Sequence, residues 1–157
     1  MTRRALLAGG LAALALAVVA PAPAAAQEAV RTEVLVVLAK ETPGEIAPAL
    51  ADLPALRRPP FNAFRSMEIL ERQQKRLRVG QGEDVTLPNG RHLRIRLQRV
   101  MPDGRFRVRV SIRREGENAY LPLLQVVASP GDPFFVAGQS HDGGTLVIGI
   151  RLGEPPG

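Results

Sequence analysis

Two alternating runs, His92 to Val100 and Arg105 to Arg114, flank Pro102-Asp103-Gly104. No other part of the chain constrains the fold as tightly. Apolar residues recur at every second position: Leu93, Ile95 and Leu97, then Phe106, Val108, Val110 and Ile112. That period places them on one face of a half-buried strand pair. With Asp103-Gly104 as a two-residue turn, opposed residue numbers sum to 207, so Ile95 faces Ile112, Leu97 faces Val110 and Met101 faces Phe106. On the other face Arg94 meets Arg113, Arg96 meets Ser111 and Gln98 meets Arg109. Arg99 against Val108 and Val100 against Arg107 do not fit this scheme. A slip by one residue would mix the two sets, because side chains alternate across a sheet. One face is therefore predicted as core, and the other carries Arg94, Arg96, Arg107, Arg109 and Arg113.

The rest of the chain follows the same grammar. Thr32 to Ala39 is a β-branched, apolar run and reads as a buried strand. Thr42-Pro-Gly-Glu45 resembles a capped helix start, with Ile46, Leu50 and Leu53 at helical spacing and Pro48 and Pro54 limiting its length. Leu53 to Phe61 is a proline-pinned connector, too apolar to hang free, so it is expected to lie against the domain. Further strands are predicted at Ala63–Glu71, Lys75–Val79, Asp84–Leu87, Asn118–Ala128, Phe134–Ala137 and Thr145–Leu152. Asn89-Gly90, Gly143-Gly144 and Ser129 to Pro133 supply turns between them. No internal repeat stands out. The predicted class is mainly β: an antiparallel sandwich or partly open barrel with one short helix after the first strand.

The N-terminus states an address. Arg3 and Arg4 precede an apolar run from Ala5 to Ala20, then Pro21, Pro23 and Ala24-Ala25-Ala26. That is the pattern of a secretory signal peptide over residues 1–26, cleaved before Gln27. The arginine pair is also compatible with twin-arginine export, so the route stays open. The run is too short and too rich in Ala and Gly to span a bilayer, so no transmembrane segment is expected in the mature chain. The expected location is the periplasm or the extracellular space. Removing 26 of 157 residues leaves 131, enough for a single domain over 27–157 with its own core. The chain has no cysteine. A lipid-modified N-terminus, a disulfide framework, a catalytic thiol and thiolate metal sites are all excluded on that ground.

Charge is unevenly spread. Residues 57–114 hold 16 basic and 5 acidic side chains, or +11, between segments of −3 (27–56) and −4 (115–157). A basic middle between acidic ends means internal pairing or one basic face. Arginine's planar fork suits phosphate and carboxylate groups. With no Trp and a single Tyr, Tyr120, stacking platforms for bases are scarce, and a nucleic-acid partner is not expected.

Catalytic motifs are thin. Gly138-Gln-Ser-His-Asp142 contains the residue types of a hydrolase triad, but neighbours in sequence point in different directions. A nucleophile elbow would need Gly at position 142 and a following helix. A polar turn is the expectation there. His92 and His141 are the only histidines and lack ligand spacing, so no metal site and no cofactor is predicted.

Leu53 to Phe61, Leu87-Pro-Asn-Gly-Arg91, and Pro133 to Ser140 with Gly143 to Gly149 give the chain a resemblance to a group of small, functionally uncharacterised secreted proteins of GC-rich Gram-negative bacteria. The resemblance implies a shared single domain and brings no activity or site with it. The last segment is also similar to the closing strands of outer-membrane secretins, which implies a link to the assembly rather than to the pore. The function these features favour is a non-catalytic binding or assembly component of the cell envelope, its partner an envelope protein or an anionic envelope polymer. The alternatives are a polymer binder acting through the arginine face, and a hydrolase with a site not visible in the sequence.

Overall fold

The computed structural model describes residues 9–10, 12–17 and 29–154. Most of the predicted signal segment lies outside the described residues. The chain forms two antiparallel four-stranded sheets packed face to face. Its strands are β1 (Val30–Lys40), β2 (Ser66–Leu77), β3 (Gly82–Thr86), β4 (His92–Val100), β5 (Phe106–Arg113), β6 (Leu121–Ala128), β7 (Phe134–His141) and β8 (Gly144–Leu152). One sheet runs β2-β1-β8-β7; the other is a meander, β3-β4-β5-β6.

The core between the sheets follows from alternation. Val34, Val36 and Leu38 of β1 and Leu146, Ile148 and Ile150 of β8 meet Leu93, Ile95, Leu97, Val108 and Val110 of the meander. The intervening residues of β1 and β8 are buried too. Leu35, Val37, Ala39 and Val147 form a second cluster on the opposite face, with Leu50, Leu56, Met67 and Phe135. Both central strands are thus covered on both sides, which is why they read as unbroken apolar runs.

The segment after β1 provides that second cover. The expected helix is a single turn, α1 (Pro48–Ala51), followed by 3₁₀ turns at Pro54–Arg57 and Phe61–Ala63. Thr42 caps nothing: α1 begins at Pro48, whose missing N–H costs a first turn no hydrogen bond. The connector lies against the sheet as its composition predicts, burying Leu50 and Leu56, and Phe61 meets Phe135 edge to face at 6.0 Å. A β-carbon at Gly149 would sit 2.7 Å from the Phe135 ring, so glycine there makes room for that aromatic contact.

Several expected boundaries change. The two runs predicted at 63–71 and 75–79 are one strand, β2, bulged against β1 at the Val36/Val37 step. Polar Gln73-Gln74 does not interrupt it: the two side chains take opposite faces, and at an edge strand Gln73 stays half-buried and Gln74 exposed. β7 continues past Ala137 through a bulge at Gly138 (φ 130°) to His141. The turn is Asp142-Gly143, with φ of 45° and 75°, an Asp-Gly hairpin of the type that needs positive φ at both positions.

The central hairpin is also corrected. Its loop has three residues, not two: the Met101 N–H donates to Arg105 O at 2.7 Å, the Gly104 N–H to Met101 O at 2.9 Å, and Gly104 takes φ 86°. Pro88-Asn89-Gly90 folds the same way, with the Gly90 N–H donating to Leu87 O at 3.0 Å. In each loop the Asn89 or Asp103 side chain accepts the N–H of the following arginine, at 3.1 and 3.0 Å. The same turn sequence, Pro-Asn/Asp-Gly-Arg, therefore opens both alternating strands.

Candidate binding face

The meander has one covered face and one bare one. Arg94, Arg96, Arg107, Arg109 and Arg113 all stand on the bare face, because their neighbours Leu93, Ile95, Leu97, Val108, Val110 and Ile112 fill the core. The pairing differs from the predicted one. Beyond the three-residue loop, β4 carries an extra residue at Gln98, so Val100 pairs with Phe106, Arg99 with Arg107, Leu97 with Val108 and Arg96 with Arg109. Arg99 thereby joins the bare face, and the misfit at Arg99 and Val100 disappears. A bulge of this kind leaves the extra residue unpaired and bends the strand.

Across the meander the bare face is laid out in rows. Gly82, Arg96, Arg109 and Gln125 form one row; Arg99, Arg107 and Val127 form the next. Toward the other end lie Asp84, Arg94, Ser111 and Pro122, then Thr86, His92 and Arg113. The arginines divide into two groups.

The first group is bound internally. Asp84 accepts two hydrogen bonds from Arg94, at 2.8 and 3.1 Å, and one from the Tyr120 hydroxyl at 3.0 Å. The Arg94 guanidinium lies 3.9 Å from the Tyr120 ring centroid and that of Arg113 lies 5.5 Å away, an arrangement favoured by cation–π attraction. Arg113 also donates to Glu117 O at 3.2 Å. The Arg94 hydrogen bond holds the Asp84 carboxyl below the usual carboxylate range, against a smaller opposing effect of burial; Tyr120 and Arg113 act in the same direction as Arg94.

The second group is not paired with acids. Among the described residues, no carboxylate lies within 4 Å of Arg96, Arg99, Arg107 or Arg109. Arg96 donates only to a backbone carbonyl, Gly80 O, at 3.0 Å. Two of the rows therefore place like charges directly opposite each other, Arg96 against Arg109 and Arg99 against Arg107. Such pairs destabilise a sheet by roughly 0.2–1 kcal/mol.

Other candidate sites are weaker. Ser140, His141 and Asp142 are consecutive residues at the end of β7 and in its turn, and no hydrogen bond links them among the described residues. A cleft of about 570 Å³ opens between the connector and β1; in its wall Glu33 lies 3.3 Å from Arg151 and 3.9 Å from Arg72, while Arg58 and Asp132 make no ion pair among the described residues. Among the described residues there is no cluster of three or more His, Asp or Glu side chains able to hold a metal. No helix among them is long and apolar enough to cross a membrane. No family model, curated protein or solved structure matches the chain.

Proposed function

We propose that this protein is an exported, non-catalytic binding component of the bacterial cell envelope. Its bare sheet face holds an anionic partner through Arg96, Arg99, Arg107 and Arg109. The observation that carries this reading is the pair of cross-strand arginine contacts without carboxylates. A solvated face of an antiparallel sheet is ordinary, but one that opposes arginine to arginine twice in adjacent rows gives up stability that an acidic ligand would return. Arg94 and Arg113 serve the face indirectly, by holding Tyr120 and the 114–120 loop beside it. The envelope location rests on the N-terminal segment.

A column of immobilised dextran sulfate tests the binding reading. The protein is expected to be retained at low salt and released as salt screens the contact. Arg96→Glu with Arg109→Glu should pass through, while Arg31→Glu with Arg76→Glu, on the other sheet, should elute with the unaltered protein. Equal retention of both double variants would count against the face. Fractionation of expressing cells checks the address: the protein should leave the cytoplasm with residues 1–26 removed.

A further inference from the structure

The four edge strands are not protected alike. β2 carries Glu68, Glu71, Arg72, Lys75 and Arg76. β3 is only five residues long, and β7 is broken by its bulge at Gly138. Charge, shortness and bulges are the usual means of discouraging a further strand. β6, Leu121-Pro-Leu-Leu-Gln-Val-Val-Ala128, has no charged residue. Its irregularity, at Leu123 beside Pro122, falls in its first half and leaves Leu124–Ala128 regularly paired on one side and free on the other.

The core is open at the same edge. Where β2 and β3 adjoin, Leu77, Val85 and Leu87 are fully buried, and the partly buried residues are Val30 and Val79, at and beyond the strand ends. Where β6 and β7 adjoin, Leu124, Val126, Phe134 and Val136 are only partly buried. The two unpaired arginine rows also end on β6, at Gln125 and Val127, and Val127 is 37% exposed.

We infer that β6 accepts an added strand from a protein partner, an extended segment in which apolar and acidic residues alternate. This rests on the anion-binding reading above and names the partner's form. Inward apolar side chains of the added strand would cover Leu124, Val126, Phe134 and Val136. Outward acidic ones would lie two strand spacings, roughly 10 Å, from the backbone of Arg107 and Arg109, a gap that an arginine and a glutamate span together. Main-chain bonds would supply the affinity and the alternating side chains the specificity. A second copy of this chain fits less well, because its own β6 offers no carboxylate to the arginines.

The probe is the peptide acetyl-(Glu-Val)₄-amide, compared with acetyl-(Lys-Val)₄-amide and with polyglutamate, while amide hydrogen exchange is followed along the chain. The glutamate peptide should bind about tenfold or more tighter than the lysine peptide at low salt. It should also slow exchange of alternate amides within Leu124–Ala128 about tenfold or more, and leave β2 unchanged. Arg96→Glu with Arg109→Glu should abolish the binding. If polyglutamate binds equally and β6 amides stay unprotected, strand addition is wrong although the face binds anions. Failure of the peptide to bind while dextran sulfate still retains the protein overturns strand addition alone. Protection of β6 without peptide, in a concentration-dependent dimer, would assign the edge to a second copy and overturn the proposal.

Discussion

The two sheets of this sandwich are built from similar strands and finished differently. β1 and β8 are apolar on both faces because the connector from Ile46 to Phe64 covers what the second sheet does not. β4 and β5 have no such cover, and every position that would need one is arginine, serine or histidine. A sheet face is therefore specified twice: by its own residues and by whether another segment was made to lie on it.

The contrast breaks most directly under charge. Val37→Asp, on the covered face, buries a carboxylate without a partner and should cost about 3–5 kcal/mol. Ser111→Asp, on the bare face, puts a carboxylate into the arginine rows and should be neutral or slightly stabilising. Urea unfolding of both variants measures the difference, and equal losses would dissolve the distinction between the faces. Next in size is the cover itself. Leu56 is buried against the covered sheet, so Leu56→Ala should cost about 2–4 kcal/mol, read from the same transitions. A loss under ~0.5 kcal/mol would show that the connector contributes little as a layer.

A smaller effect sharpens the bare face. The folded-state pKa of Asp84 is lowered, so its contribution is complete above the unfolded value near 3.8 and is lost as pH falls through the folded one. The carboxylate is 40% exposed, and screening limits the Arg94 pair to roughly 0.5 kcal/mol. Asp84→Asn should melt below the unaltered protein at neutral pH, and the difference should shrink only below the unfolded value of 3.8, closing once pH has fallen through the folded one. The smallest change is expected for Arg96→Ala with Arg109→Ala, within about 0.5 kcal/mol of the unaltered protein. The sign should be a small gain, because the opposed pair is relieved, while retention on a polyanion should fall.

Much of this was legible from alternation. The strands of the meander, their inner faces and the common side of the five arginines all follow from a period of two, which burial enforces. Pairing was not legible, for a physical reason. The hairpin departs from the simplest scheme by one residue in its loop and by another at Gln98. Either shift alone would turn the arginines inward; together they restore the faces and move the partners by two. The same cancellation hid Arg99. The internal use of Arg94 and Arg113 was equally hidden, since Asp84 and Tyr120 reach them from β3 and from the approach to β6. Gln73-Gln74 and Gly138 misled because polarity and glycine signal a turn only where no partner strand continues past them.

The first and last strands of the described fold lie side by side, with Thr32 opposite Leu152 and the Gly153 N–H bonded to Arg31 O at 2.8 Å. This adjacency has a kinetic meaning. As the chain emerges from the ribosome, β1 is made before the other described strands, yet its central partner β8 comes last, after all four strands of the meander have been made. Until then β1, the strand with the longest buried run, has only β2 beside it. The sheet that holds β1 therefore cannot be completed until β8, the last strand of the described fold, has been made.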